Sequence, residues 1–262
     1  MGVVNVTPDS FSDGGRFLDP AVAVAHGRDL AAAGAAILDV GGESTRPGAQ
    51  PVETDEELRR VLPVVRELAG TTGVPVSIDT TKAAVAAAAL DAGAAMVNDV
   101  SGGTRDPEML SVVADAGGAF VVMHMRGTPQ TMTQDMYYDD VVREVGAALR
   151  GHVEVAIAAG VDERAIFADP GIGFAKDAEQ SLALLRALPE LTIAAGVPLL
   201  VGTSRKSLLG RVLGDMKIDR DDATLATTVW AFVHGAAAVR VHDVESSVRA
   251  VALLDALEQA AA

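Results

Sequence analysis

The sequence predicts an α/β fold, a (β/α)8 TIM barrel that residues 1–262 form as a single domain. Eight short apolar runs recur along the chain, helix-like stretches lie between them, and a glycine ends nearly every helix-like stretch. Such repeated strand–helix–strand units imply parallel strands joined by right-handed crossovers. An open doubly wound sheet is the alternative, but it would usually have fewer strands and a glycine-rich turn after the first one. This chain has NVTPDS (5–10) at that point.

The apolar runs are continuous rather than alternating, as expected for strands that are covered on both faces. In chain order, the predicted strands are 1–6, 36–40, 74–78, 95–97, 119–123, 166–168, 197–201 and 238–241. A glycine precedes each of the last seven, and its freedom to adopt a left-handed conformation suits the end of a helix. These glycines are Gly34, Gly73, Gly93, Gly117, Gly160, Gly196 and Gly235.

Start signals mark several of the helices between the strands. Asp-Pro pairs at 19–20 and 106–107 predict an N-cap followed by proline at the first helical position. Thr54 and Glu57 have the spacing of a capping box, and Pro63 is expected to kink the helix that follows. The last helix has an apolar stripe at the helical period, formed by Val244, Val248, Val251 and Leu254.

Composition and charge exclude several classes of protein. The chain has no cysteine, which rules out disulfides, thiol nucleophiles and thiolate-bound metals. No apolar run reaches the roughly 20 residues that a membrane helix needs, so no membrane partner is expected. The net charge of -15 argues against nucleic-acid binding, and it means that any anionic ligand needs local cations. No targeting segment is recognisable at residues 1–6, so a cytoplasmic location is expected.

Polar side chains follow nearly every predicted strand, at the end where barrel active sites lie. Strand ends also meet water, and His124 between two methionines has the surroundings of a satisfied buried histidine. Taken together, the acidic and amide groups suit a flat heterocycle with several N–H donors, because a carboxylate can pair with an amidine-like edge. The strand-end residues are Asn5, Asp39, Asp79, Asn98, Asp99, His124, Asp169, Thr203, Ser204, Arg240 and His242.

Basic residues cluster after the last two strands, where such barrels often bind phosphate. Arg205 and Lys206 follow the seventh strand, and Arg240 and His242 end the eighth. An anion site is therefore predicted there, with a solvated helix start as the alternative for Arg205 and Lys206. The glycine- and hydroxyl-rich segments 7–15 and 41–48 are interpreted as lids over a second substrate, with plain surface loops as the alternative.

Seven segments that run through the whole chain resemble the dihydropteroate synthase family of folate biosynthesis. They are NVTPDSFSDGG (5–15), DVGGESTRPGA (39–49), SIDT (77–80), NDVSGG (98–103), DPGIGFAK (169–176), GTSRKSLLG (202–210) and RVHDV (240–244). The resemblance implies a Mg²⁺-dependent transferase that is typically a homodimer. It would condense 6-hydroxymethyl-7,8-dihydropterin diphosphate with 4-aminobenzoate, giving 7,8-dihydropteroate and diphosphate. Sulfonamides that mimic aminobenzoate would compete for its pocket.

The resemblance also assigns residues to each part of the reaction. The pterin would be held by Asp79, Asn98, Asp169 and Lys206. The diphosphate would be bound by Asn5, Thr45, Arg240 and His242, with Asn5 also a ligand of Mg²⁺. The aminobenzoate pocket would be formed by Phe11, Arg46, Pro47, Phe174 and Ser207. The residues expected to act in catalysis are Lys206 and two aspartates of the first lid, Asp9 and Asp13.

The chemistry of these residue types agrees with the implied roles. Mg²⁺ prefers oxygen ligands and often bridges substrate phosphates, and a neutralised diphosphate is a good leaving group. We therefore expect a dissociative substitution, in which the C–O bond breaks before the arylamine attacks.

Three rival interpretations remain. A methyltransferase that passes a methyl group to a corrinoid would share the pterin-holding residues, but it has no need of a diphosphate site. A non-catalytic paralogue would keep the fold without the activity. A sugar-phosphate enzyme would need a Lys or Glu that acts on a carbon acid, and the sequence offers only Lys206 for that role.

Overall fold

The computed structural model describes residues 1–7 and 20–260, and eight parallel strands run through them in sequence order. The strands are β1 (Gly2–Asn5), β2 (Leu38–Gly41), β3 (Val76–Asp79), β4 (Met96–Asp99), β5 (Ala119–Met123), β6 (Ile166–Asp169), β7 (Leu200–Val201) and β8 (Ala238–Val239). All eight predicted strands are confirmed, although most of their ends differ from the apolar runs. Several apolar runs stop short of the polar residue that ends the strand, because backbone pairing continues for one residue more.

The strands close into a barrel. Neighbouring strands from β1 to β6 form one parallel sheet, and β7 pairs in parallel with β8. Isolated parallel bridges join Ala168 to Leu199 and Gly2 to Val241, which connects the two sheets on both sides. The amide of Val241 also donates to the carbonyl of Met1 at 2.9 Å. The predicted (β/α)8 barrel is therefore confirmed.

Helices follow every strand and cover the outside of the barrel. They are α1 (Pro20–Ala32), α2 (Thr54–Thr71), α3 (Ala83–Asp91), α4 (Met109–Ala116), α5 (Val141–Ala158), α6 (Ala178–Arg186), α7 (Leu188–Ala195), α8 (Ser207–Val212), α9 (Asp221–Val233) and α10 (Val244–Ala260). Two helices, rather than one, connect β6 to β7 and β7 to β8. In the described part of the chain, no helix is both long and apolar enough to cross a membrane.

The predicted capping box at the start of α2 is wrong. The helix does begin at Thr54, but its N-cap is Glu53 and no side chain caps it. Glu57 is instead fully buried, and its carboxylate accepts a hydrogen bond from Lys82 Nζ at 2.5 Å. A buried carboxylate that has a cationic partner has no reason to turn back toward the helix start. Pro63 lies inside α2, as its position in the sequence implied.

The predicted start of α4 is also wrong. The helix begins at Met109, two residues after Pro107, and its N-cap is Glu108. Asp106 accepts hydrogen bonds from the amide of Glu108 at 3.1 Å and from that of Ala83 at 2.8 Å. Its carboxylate therefore satisfies the first amide of α3 instead of serving as the N-cap of its own helix. The other Asp-Pro pair gives a helix that begins at Pro20, whereas Asp19 lies outside the described residues.

The apolar core has two layers. The larger one lies between the strands and the helices. The smaller one fills the lower interior of the barrel and contains Met1, Met96, Val121 and Leu200. The predicted stripe of α10 is only partly buried, because Val244 is covered whereas Val248 is 39% exposed. All seven glycines predicted to end helices have positive φ angles, and Gly117 and Gly196 form the left-handed caps of α4 and α7.

Candidate active site

A cluster of buried polar side chains lies inside the barrel, at the carboxyl ends of its strands. Asn98 Nδ2 donates to Asp39 Oδ2 at 3.1 Å. Arg240 donates from Nε to Asp39 Oδ2 at 2.6 Å and from Nη2 to Asp79 Oδ2 at 2.9 Å. These four residues belong to β2, β3, β4 and the end of β8, so only the barrel interior can bring them together.

Asp169 and Lys206 lie in the same cluster, next to Gly202. A β-carbon built on Gly202 would lie 3.8 Å from Lys206 Nζ, 3.8 Å from Arg240 Cβ and 4.0 Å from Asp169 Oδ2. A larger residue at 202 would fill the space between these groups. The expectation that distant acidic, amide and basic residues gather at one rim is therefore met for Asp79, Asn98, Asp169, Lys206 and Arg240.

The charges of the cluster are unbalanced, because it contains three carboxylates, Asp39, Asp79 and Asp169, and two cations, Arg240 and Lys206. Burial, with the neighbouring carboxylates, raises the pKa of Asp79 to about 7 against the opposing effect of Arg240. Burial also raises the pKa of Asp169, and it lowers the pKa of Lys206 to about 8. A site of this kind takes up a proton readily near neutral pH.

Asp39 is the member of this cluster that the sequence analysis placed at a strand end without giving it a role in the site. It is fully buried and links Asn98 to Arg240. Its other carboxylate oxygen, Oδ1, has no hydrogen-bond partner in the described part of the chain. Its alternation with Leu38 and Val40, which pack in the larger core layer, was the available signal, since alternate residues of a strand face opposite sides of the barrel wall.

His242 lies beside the cluster and is held by the loop after β7. Its Nδ1 lies 2.8 Å from Ser204 Oγ, and its backbone amide donates to the same oxygen at 3.1 Å. Burial and the charges of Arg240, Arg205 and Arg46 lower the pKa of His242 to about 3. Arg46 of the second loop therefore acts electrostatically on this corner. Arg205 does not add a free cation there, since both of its fork nitrogens bind Asp221 at 2.7 Å.

The loop after β6 places the Phe174 side chain next to Lys206. Lys206 Nζ donates to the carbonyl of Ile172 at 2.5 Å and lies 4.7 Å from the centre of the Phe174 ring. The loop is held by hydrogen bonds to Lys176, a lysine that the sequence analysis did not single out. This side chain is only 5% exposed, and burial lowers its pKa to about 7.

Lys176 Nζ is fully occupied by the backbone around it. It donates to the carbonyls of Phe174 at 2.8 Å, Gly171 at 3.1 Å and His124 at 3.2 Å, and it lies 3.0 Å from His124 Nδ1. Lys176 is thus a second buried lysine near the site besides Lys206, but its Nζ has no hydrogen-bonding capacity left for a carbon acid. His124 is a satisfied buried histidine, as predicted.

The second loop is tied down at both ends. Glu43 accepts hydrogen bonds from Lys82 Nζ at 2.6 Å and from the amide of Val52 at 2.8 Å. Farther along, the amide of Gly48 donates to Pro129 at 2.9 Å. Between these anchors lie the half-buried Thr45 and the exposed Arg46 and Pro47, and the exposed Ser207 begins α8. Asp9, Phe11 and Asp13 lie outside the described residues.

Asn5 is the predicted metal ligand at the end of β1. Its side chain makes no hydrogen bond within the described residues, so its carboxamide oxygen is available as a hard donor. No group of three or more His, Asp or Glu residues in positions 1–7 and 20–260 has the arrangement of a metal site. One carboxamide fits a Mg²⁺ that is held mainly by substrate oxygens and water, and does not fit a cation held by the protein alone.

Comparisons with known proteins agree with this geometry. The family model described as "Pterin binding enzyme" matches residues 1–242. The dihydropteroate synthase of Mycobacterium leprae is 53% identical, over 98% of this chain and 92% of its own length. A Yersinia pestis dihydropteroate synthase, solved as a sulfonamide drug complex, superposes with a TM-score of 0.93 at 41% identity, over 99% of this chain and 94% of that one. The Xanthomonas albilineans enzyme with 7,8-dihydropteroate gives 0.86 at 42% identity, over 98% and 92%. The chain therefore belongs to the pterin-binding enzyme family, as one of the dihydropteroate synthases.

Proposed function

We propose that this chain condenses 6-hydroxymethyl-7,8-dihydropterin diphosphate with 4-aminobenzoate, and that the products are 7,8-dihydropteroate and diphosphate. The observation that carries the proposal is the single cluster of Asp79, Asn98, Asp169, Lys206 and Arg240 at the barrel mouth, with His242 beside it. The function of a corrinoid methyltransferase, which binds a pterin without diphosphate, accounts for the acidic and amide residues of this cluster. It does not account for the basic residues.

The pterin ring is held by Asp79, Asn98 and Asp169. Two carboxylates and a carboxamide on rigid strand ends provide acceptors for the ring N–H groups and one donor for its carbonyl oxygen. Lys206 lies against the ring, because it shares the space beside Gly202 with Asp169. The barrel mouth thus binds the hydrogen-bonding edge of the ring, and the methylene carbon of the substrate faces the loops.

The diphosphate lies in the corner formed by Arg240 and His242, with Thr45 and Asn5 at its edge. Arg240 pairs with Asp39 and Asp79 through Nε and Nη2, and its Nη1 makes no hydrogen bond within residues 1–7 and 20–260, so it can donate to phosphate without losing its anchors. Mg²⁺, when bound, neutralises charge on the diphosphate, and Asn5 is the residue that would hold it. In a chain of net charge -15, a diphosphate needs such local cations to bind.

The aminobenzoate would bind between the loop residues Phe174, Arg46 and Pro47 and Ser207 at the start of α8. The family resemblance adds Phe11, which lies outside the described residues. Phe174 is the fixed side of this pocket, since its carbonyl is bound by Lys176 and its ring lies near Lys206. Sulfonamides that mimic aminobenzoate would enter the same pocket.

The reaction follows a dissociative course. The C–O bond to the diphosphate breaks and its electron pair leaves with diphosphate, giving a methylene cation that the electron-rich dihydropterin delocalises. The aryl amine then forms the C–N bond and loses a proton to solvent. Deuterium at the methylene should give a secondary isotope effect well above unity, and a value near unity would contradict this order of steps.

The activity is tested by diphosphate release from the purified protein with both substrates and Mg²⁺. Lys206→Ala should lose most of the turnover while the Lys217→Ala control, at an exposed site, keeps it. Dihydropteroate must appear in step with diphosphate. No diphosphate release from the wild-type chain would refute the proposal and favour a binding paralogue.

We also propose a homodimer, formed through the last helices. Large apolar side chains are exposed there, among them Leu213 after α8, Trp230 and Val233 on α9, and Leu253 and Leu257 on α10. Exposed large apolar side chains of this kind are often covered by a second subunit. A cytoplasmic location stays a prediction from the sequence.

A further inference from the structure

The turn that joins β7 to α8 has an unusual conformation. The amide of Lys206 donates to the carbonyl of Thr203 at 3.1 Å, so residues 203–206 form one turn. Arg205, its third residue, has a φ of 57°, in the left-handed region that glycine favours. A non-glycine residue held in this region carries local strain, and such strain concentrates at functional sites.

Three contacts from the neighbouring helix maintain the strained turn. The Arg205 side chain binds Asp221 with two nitrogens at 2.7 Å, and its amide donates to Thr224 Oγ1 at 3.0 Å. Arg220 Nη1 donates to the Arg205 carbonyl at 3.0 Å. These contacts fix the conformation of the turn and therefore the position of Ser204, its second residue.

Ser204 Oγ makes two hydrogen bonds with His242, and their geometry shows which atom is the donor in each. The backbone amide of His242 can only donate, so Ser204 Oγ accepts at 3.1 Å. The serine is buried, and apart from His242 its hydroxyl has no partner in the described part of the chain. Its hydrogen must then point to His242 Nδ1 at 2.8 Å, because a buried hydroxyl hydrogen without an acceptor is costly.

We infer that Ser204 is a positioning residue that holds His242 as the Nε2–H tautomer, with this N–H directed at the diphosphate of the pterin substrate. Nδ1 is occupied as an acceptor, so the ring proton resides on Nε2. Nε2 makes no hydrogen bond within the described residues, which leaves it for a ligand. The inference rests on the proposed function for the identity of that ligand, but the tautomer itself does not.

Burial keeps His242 neutral, since its pKa is lowered to about 3. A neutral imidazole of the wrong tautomer would present a lone pair to the phosphate oxygens and repel them. By selecting the tautomer, Ser204 therefore determines whether His242 attracts or repels the diphosphate.

The tautomer can be measured directly by long-range ¹H–¹⁵N correlation spectra of histidine-labelled protein at pH 8 without ligand. His242 is assigned by comparison with His242→Gln. The wild type should show a single Nε2–H tautomer, Ser204→Thr should keep it, and Ser204→Ala should show a mixture. Thr227→Val is the matched control, because it removes a 2.7 Å hydroxyl contact to Thr203 under the same turn without touching His242.

Affinity supplies the second measurement, with inorganic diphosphate as the probe in titration calorimetry. Ser204→Ala should weaken binding by about fivefold or more, the loss expected for one hydrogen bond, while Ser204→Thr and Thr227→Val stay near the wild type. In turnover assays, the KM for the pterin diphosphate should rise and that for aminobenzoate should not. An Nδ1–H tautomer in the wild type, or unchanged tautomer and affinity in Ser204→Ala, would overturn the inference. A wild type that binds diphosphate but forms no dihydropteroate would refute only the proposed function.

Discussion

Asp79 shows how a single residue can link the charge balance of the site to pH. Its carboxylate shares Arg240 with Asp39, and Asp169 adds a third carboxylate to the two cations. Burial raises the pKa of Asp79 to about 7, so the ligand-free chain carries a proton on this carboxyl at mildly acidic pH. A pterin ring that donates N–H groups needs the ionised form, so binding of the ring must release that proton.

The resulting prediction is that pterin affinity depends on pH. Between about pH 5.5 and 7, affinity should rise with pH by up to roughly tenfold per unit, and it should level off above the pKa. Fluorescence titration with 6-hydroxymethyl-7,8-dihydropterin measures it. Asp79→Asn should bind more weakly and lose the pH dependence, because the amide has no proton to release. A wild-type affinity that is flat over this range, or that falls as pH rises, would show that Asp79 enters binding already ionised.

Some residues of the site could be predicted from the sequence, and others could not. The motifs named Asp79, Asn98, Asp169, Lys206 and Arg240, because each ends a recognisable strand or begins a distinctive loop. They contain Asp39 and Lys176 but assigned neither a role, since the roles of these two residues come from contacts across the barrel and with the backbone of a loop. Periodicity places a residue on a face of its own element, but it does not reveal which residue of another element is opposite.

At the scale of elements, an ion cluster ties the second loop to α2 and α3. Lys82 Nζ binds Glu43 of the loop at 2.6 Å and Glu57 of α2 at 2.5 Å. Glu57 is fully buried, whereas Lys82 is 23% exposed at its side chain. Glu57 Oε1 has no hydrogen-bond partner in the described residues. The cluster therefore depends on the lysine, because without it a buried carboxylate would have no counter-charge.

Lys82→Met should lower the free energy of unfolding by about 3–5 kcal/mol, the cost of leaving a buried charge unpaired. Adding Glu57→Gln to that variant should recover more than about 1 kcal/mol, because the uncompensated charge is removed. Urea denaturation followed by circular dichroism measures both. Lys217→Met, at an exposed lysine, is the control and should change stability by less than about 0.5 kcal/mol. A double variant no more stable than Lys82→Met would show that the loss comes from packing.

The elements that the sequence predicted best were the strands and the glycines that precede them, because both follow from local backbone chemistry. Helix starts were predicted less well. The Thr54 and Glu57 spacing matched a capping box, but tertiary pairing with Lys82 determined where the Glu57 carboxylate lies. The paired helices after β6 and β7 were also missed, since no strong signal separates α6 from α7, where Ala187 alone divides two helices.

For the molecule as a whole, the barrel has an uneven wall. The six strands from β1 to β6 form continuous ladders, while β7 and β8 are two residues long, pair with each other, and are joined to β6 and β1 by single bridges. We call these two junctions, between β6 and β7 and between β8 and β1, the seam. Few backbone hydrogen bonds must break to open it. The proposed pterin site spans it, because Asp79 and Asn98 belong to the large sheet, whereas Lys206 and Arg240 follow β7 and β8. The substrate is thus a cross-link between the two parts of the wall.

Hydrogen exchange measured by mass spectrometry should therefore show two effects. Without ligand, peptides that contain Arg240 and Val241 should exchange faster than those that contain Val97 and Val121, since the seam opens more easily than the ladder of β4 and β5. Saturation with the pterin diphosphate should slow the seam more than the ladder, because the ligand binds only the closed wall, and at about 100 times its Kd it stabilises that state by about 2.7 kcal/mol. Aminobenzoate alone, none of whose proposed contacts belongs to a strand, is the control and should leave the seam unchanged. Slowing confined to β3 and β4 would mean that the ring is held by one side of the barrel, and the arginine corner would then need a different explanation.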